Sequence, residues 1–208
     1  MAGAARGGRL KLTNELAVAA PVGQTWRTLL DVPRVVRALP GATIDPDPAD
    51  GAYRGRMKVT LGPVSTEYAG TVRLAEVDED ERTVAFHVQA REVRGQGSAA
   101  ATIACRLQSQ AGGTRLVVRT ELHVTGRQAQ FARGIMEDVA AAILTEFAAR
   151  LEREILGVRS TGADGGDESF DVGAAIYRPL LERGGILAAG VALGVGLGLG
   201  LGRVLWRR

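Results

Sequence analysis

Residues 131–156 read FARGIMEDVAAAILTEFAARLEREIL. Phe131, Ile135, Val139, Ile143, Phe147 and Leu151 recur at every fourth position, with Met136 and Leu144 beside them. Side chains four apart share one face of an α-helix, so this spacing predicts a long amphipathic helix with a broad apolar stripe. The residues before it follow period two instead. Ala101, Ile103, Cys105 and Leu107 form one apolar row, and after Gly112-Gly113 come Leu116, Val118, Thr120, Leu122 and Val124. Upstream, Tyr53, Met57, Val59 and Leu61 face one way while Arg54, Arg56 and Lys58 face the other. Val64, Thr66, Tyr68, Val72 and Leu74 make the next row, then Val84, Phe86, Val88 and Ala90. Turn signals separate these runs at Gly62-Pro63, Asp78–Asp80 and Gly95 to Gly97. Strands of this regularity bury one face, and the helix at 131–156 is the cover available to them. The fold class is α+β.

The start of the chain adds a strand through Leu10, Leu12, Asn14, Leu16 and Val18. Pro21 suits the first turn of a helix. Trp26, Leu29, Leu30, Val35, Val36 and Leu39 continue at helical spacing, and Pro33 divides them into two short helices ended by Leu39-Pro40-Gly41. Residues 9–156 are thus one folded unit.

Residues 157–183 read as a flexible linker. From Gly157 to Gly173 they are rich in Gly, Ser, Thr and acids and show no apolar period. Residues 184–208 form a glycine-rich hydrophobic anchor. Gly184 to Gly202 has no charged side chain and is bounded by Arg183 before and by Arg203, Trp206, Arg207 and Arg208 after. As a helix it would be about 28 Å long, close to a bilayer core of roughly 30 Å. A lone segment in lipid has to be helical to satisfy its own backbone. Gly190, Gly194, Gly198 and Gly202 would then share a face, and Trp206 would sit at the interface. Arginines beyond the span oppose the positive-inside tendency, which leaves both a spanning and a shallow or re-entrant insertion open. A buried core helix is the soluble alternative.

Composition narrows the function. Aromatics are 4% of residues against 46% hydrophobic, so the core is aliphatic. The net charge of +3 comes without a dense basic block or an aromatic platform, so nucleic acid is not an expected partner. A lone cysteine, Cys105, excludes an internal disulfide framework and a multi-thiolate metal site; as part of an inner row it is expected to be an inert buried thiol. Met1 to Gly8 has no apolar core of a secretory signal, which points to the cytoplasm. His87 and His123 fall on the outer face by alternation and are expected to be surface histidines. Arg91 and Glu92 read first as a solvated pair at a turn and otherwise as the rim of a cavity mouth, while outward Arg54, Arg56, Lys58 and Arg73 read first as a solvated sheet face and otherwise as a patch for anionic lipid or an acidic partner. No nucleophile–base set, nucleotide-binding glycine fingerprint or metal-ligand spacing occurs, so neither catalytic residues nor a metal are expected. An aliphatic inner face under one helix suits an apolar ligand, although periodicity does not separate a cavity from a filled core.

Several separated motifs occur in one order: Lys11 to Glu15, Ala19-Ala20-Pro21-Val22 leading to Trp26, Leu39-Pro40-Gly41-Ala42, and Gly62-Pro63 before Tyr68-Ala69-Gly70. Arg94-Gly95-Gln96-Gly97 and Thr125 to Phe131 with Gly134 follow. In these the sequence resembles the CoxG family of carbon monoxide dehydrogenase subunits, over roughly residues 10–156. The resemblance implies the START-like (SRPBCC) helix-grip fold, a curved antiparallel sheet around a long C-terminal helix. It also implies association with a molybdenum-containing CO dehydrogenase-type enzyme at the membrane and a bound isoprenoid quinone or lipid.

On that basis the expected function is a membrane-tethered carrier of an apolar ligand at the cytoplasmic side of the cell membrane. Its lining is expected from Trp26, Leu39, Met57, Tyr68 and Phe86, with Phe131, Ile135, Met136 and Phe147 from the long helix. The alternative is a recruitment factor whose interior is simply filled. An enzyme would need polar groups converging inside the grip, and the inner rows offer few.

Overall fold

The computed structural model describes residues 8–61, 64–126, 133–157 and 170–171. They all fall within the first of two units, Met1–Val172. Phe131, the linker apart from 157 and 170–171, and the expected anchor residues Gly190, Gly194, Gly198, Gly202 and Trp206 lie outside the described residues. No helix among the described residues is long and apolar enough to cross a membrane.

The elements are β1 (Gly8–Val18), α1 (Val22–Leu29), α2 (Val32–Ala38), β2 (Ala42–Ile44), β3 (Tyr53–Leu61), β4 (Val64–Asp78), β5 (Thr83–Glu92), β6 (Ser98–Gln110), β7 (Gly113–Val124), α3 (Arg133–Leu156) and β8 (Phe170–Asp171). The sheet order is β1-β7-β6-β5-β4-β3-β2, and each of these pairs is antiparallel. β1 therefore closes against β7, across most of the domain's length.

Local chemistry sets the short helices. Pro21 stands at the cap of α1, its ring fixing the backbone at the helix entrance. The break before α2 falls at Asp31, not at Pro33. The Asp31 carboxylate accepts from the Arg34 amide at 3.1 Å, and Pro33 sits in the first turn where a missing N–H costs nothing. Thr25 and Thr114, both fully buried, share a hydroxyl contact of 3.3 Å, and the Thr114 hydroxyl donates to the Ala20 carbonyl at 2.7 Å. These bonds seat α1 on β7 without leaving a buried hydroxyl unpaired.

Three features differ from the sequence expectation. β2, only three residues long, extends the sheet where the helical pair was expected to end in a turn. α3 is not the sole cover: Leu29, Val32, Val36 and Ala38 from α1 and α2 join Phe147 and Leu151 in one core with Val84, Phe86, Leu107, Leu116 and Val118. The third departure lies inside the expected linker, where Phe170–Asp171 pairs in parallel with Val59–Thr60. β2 covers β3 only at Gly55–Met57, so the next backbone groups on that edge are open to pairing.

The inner face carries a line of small residues in register: Gly55 on β3, Gly70 on β4, Ala90 on β5 and Ala99 on β6. A Cβ built on Gly70 would lie 2.0 Å from the Gln89 carbonyl oxygen, and one on Gly55 would lie 2.6 Å from that of Thr43. The sheet bends so tightly along this line that backbone occupies the space a side chain would need.

Cys105 lies in the deep core, and burial pushes its thiol up to about 12. The thiolate is the reactive form, so the native chain is expected to resist iodoacetamide at about pH 8 and to react promptly once unfolded in urea. Prompt labelling without denaturant would show that this end of the core opens.

Candidate functional site

The sheet and α3 form a grip whose two ends differ. At the C-terminal end of α3, Phe147, Ala148 and Leu151 are buried against β1 and the two short helices. Two polar ties lock this end. The Ala19 amide donates to Glu152 at 2.6 Å, and Arg34 reaches both the Glu154 carboxylate at 2.9 Å and the Glu154 carbonyl at 3.2 Å.

At the other end the apolar side chains are only partly covered. Ile135 is 40% exposed. Met136, Val139 and Ile143 on α3, with Leu10, Leu12, Met57, Val59 and Leu122 on the sheet, are half-buried and stand outside the packed core. A stripe that packs throughout its length would bury all of these; this one does so only over its last turns.

Of the residues expected to line a site, Trp26 and Leu39 pack on the closed core, while Phe86 and Phe147 belong to it. Met57, Tyr68, Ile135 and Met136 lie towards the open end. The expected lining is therefore divided between the packed core and half-buried or exposed positions outside it.

Polar groups on the inner rows among the described residues include Asn14, Thr66, Tyr68, Glu92 and Thr120. The Asn14 carbonyl oxygen is buried with no hydrogen-bond partner, on the inner row of β1 between Leu12 and Leu16. Its signal in the sequence was an amide inside an otherwise aliphatic alternation. Arg91 and Glu92 do not form a solvated pair, the first of the two readings, because adjacent strand residues point to opposite faces. Arg91 is exposed, whereas Glu92 is on the inner row directly opposite Tyr68. The Glu92 carboxylate folds over Gly95 and accepts from the Gly97 amide at 3.2 Å. Burial, and secondarily this carboxylate, push the Tyr68 phenol up to about 12, so it is a neutral donor. No cluster of His, Cys, Asp and Glu among the described residues is arranged to hold a metal ion.

A separate concavity of about 260 Å³ lies on the outer face of the sheet. Its walls are His87 and Gln89 of β5 and Glu121 and His123 of β7, with Arg9 at one end. Ala100 and Thr102 of β6 form the floor. His87 and His123 are outward, as expected, but they flank one groove.

Comparison with known proteins agrees with this architecture. A conserved protein from Geobacillus kaustophilus superposes with a TM-score of 0.57 at 17% identity, over 73% of this chain and 96% of its own. A protein of Rhizobium leguminosarum gives 0.52 at 12% identity, over 74% and 99%. One from Thermus thermophilus gives 0.50 at 14%, over 73% and 100%. At these identities the likeness establishes the fold alone, an antiparallel sheet with a long C-terminal helix. No curated protein matches the sequence. Residues 15–156 match the family of carbon monoxide dehydrogenase subunits described as CoxG, and that match spans most of the chain. The chain belongs to the CoxG family of carbon monoxide dehydrogenase subunits.

Proposed function

We propose that this protein holds an isoprenoid quinone or comparable lipid in the open end of the grip and serves a molybdenum-containing CO dehydrogenase-type oxidoreductase at the cytoplasmic face of the membrane. One observation carries the ligand: the apolar side chains from Ile135 to Ile143 and on the facing strand ends are half-exposed rather than packed. Exposed apolar surface of this kind, set in a concave fold, marks a binding site.

The polar groups fit a ligand with a hydrogen-bonding head. Asn14 has a buried acceptor without a partner, and Tyr68 offers a neutral hydroxyl. A quinone supplies the redox chemistry when bound; the protein orients it and excludes water. Family membership supports the enzyme partner. The hydrophobic tail, as read from sequence, supports tethering, which would raise the local concentration of carrier at the bilayer.

The test uses the full chain in mild detergent. Decylubiquinone is expected to be retained saturably by the protein in equilibrium dialysis. Met136→Glu and Ile135→Glu are each expected to weaken binding at least about tenfold, because a carboxylate there must lose water. Organic extracts of the purified protein should contain quinone or lipid in stoichiometric amount. Empty extracts and no saturable retention of decylubiquinone would favour the recruitment factor.

A further inference from the structure

The outer face of the sheet has an uneven charge pattern. Of its acids on the described strands β1 and β3–β7, Glu15, Glu67 and Glu121 are already paired, and exposed Glu76 lies near the far end of β4. Glu15 takes a two-pronged contact from Arg115 at 2.6 Å, Glu67 one from Arg56 at 2.9 Å, and Glu121 one from Lys11 at 2.7 Å. Among the described residues no carboxylate lies within ion-pairing distance of Arg9, Arg54, Arg73, Arg91 or Arg119, all exposed on this face. Positive side chains therefore outnumber acids on this face of the described strands, which gives it a positive potential.

The groove lies within this field. Short side chains on β6, Ala100 and Thr102, stand between longer ones on both neighbouring strands. Arg9 lines one end. Beyond the β5 wall, Arg73 of β4 contacts His87 at 3.4 Å. Glu121, the one acid in the wall, is held by Lys11, with Arg9 adding a weaker attraction at longer range.

We propose that this outer face docks an acidic segment of a partner protein, with one carboxylate side chain seated in the groove between His87 and His123. Two features favour polypeptide over lipid. The face is the convex side of a sheet curved around α3, so a flat bilayer would meet it along few strands. The groove is concave on the scale of a side chain, and its floor is shaped by two short residues rather than by charge alone. The proposal is independent of any ligand in the grip, which opens on the opposite side of the sheet.

Fluorescence anisotropy of a fluorescein-labelled hexaglutamate peptide, titrated with the full chain in non-ionic detergent at low ionic strength, tests it. Binding is expected to weaken as salt is raised. Arg9→Glu and Arg73→Glu should each cost about fivefold or more, within the range of exposed charge pairs. Ala100→Leu, which fills the groove without changing charge, should cost a similar factor of about five. Arg27→Glu, at an exposed position of α1, should bind like the parent. Circular dichroism melts confirm that all four variants fold.

Failure of the parent to bind the peptide would overturn the proposal. So would unchanged binding by Ala100→Leu, or an equal loss in Arg27→Glu, which would reduce the effect to net charge. Peptide binding unaffected by Arg73→Glu, alongside loss of retention on phosphatidylglycerol vesicles in that variant, would assign the face to lipid instead.

Discussion

Gly70→Ala is expected to lower the unfolding free energy by at least about 3 kcal/mol, at the upper end of overpacking costs. The added methyl would lie 2.0 Å from the Gln89 carbonyl oxygen and 2.6 Å from the Ala90 Cα. Both are backbone atoms of the strand paired with β4, so no side-chain rotation relieves the clash. Either the ladder separates or the bend relaxes. Both outcomes disturb the curvature that brings the sheet around α3. Gly23 is the matched control: nothing lies within 4 Å of its Cβ position, and it is inside α1. Gly23→Ala should therefore gain up to about 1 kcal/mol from helix propensity. Urea unfolding followed by circular dichroism measures both. Equal and small effects would mean that the bend does not depend on Gly70.

Leu151→Ala should cost about 2–5 kcal/mol, the range for a large aliphatic truncated in a packed core. Leu151 is fully buried, at 0% exposure, where the last turns of α3 meet β1 and the short helices. The surrounding side chains come from different elements fixed by their own hydrogen bonds, so the space collapses poorly. Ile135→Ala removes an aliphatic from the same helix, yet Ile135 is 40% exposed and should cost well under half as much. The ratio of the two losses measures how far the two ends of the grip differ in packing. Similar losses would show that the N-terminal half of α3 is as firmly held as the C-terminal half. A domain of this kind holds only about 5–15 kcal/mol in total, so the Leu151 variant should also show lower yields.

Much of the architecture could be read from the sequence because its elements are long. A stripe that repeats from Ile135 to Leu151, and strands in which Leu116, Val118 and Leu122 alternate with Arg115, Arg119 and Glu121, admit only one period each. β2 could not be read: three residues contain too little repeat to count. The bend was also hidden, because Gly55 and Gly70 carry meaning only once β3 and β4 are placed in register.

The site was less legible than the fold. Aromatic and apolar character selected Trp26, Phe86 and Phe147 along with Met57, Tyr68 and Met136, although the first three fill the closed end and the others stand towards the open one. Hydrophobicity reports that a residue seeks burial; which residues complete their burial depends on where α3 lies. The outer groove gathers Arg9, His87, Ala100 and His123 from four strands, and one-strand periodicity holds no record of which strand neighbours which.

The pairing of β1 with β7 also has a consequence for biosynthesis. About a hundred residues separate the two partners. At translation rates of about 5–20 residues per second, β1 waits on the order of ten seconds for the strand that pairs it. Leu10, Leu12, Leu16 and Val18 have no sheet to join during that interval, so nascent β1 is a natural client for a holding chaperone. Contacts of such long sequence separation also slow the final closure once the chain is released. Ribosomes stalled between β1 and β7 would display an unpaired, apolar strand, and conditions that slow elongation should increase aggregation more for this domain than for a helical bundle of equal size.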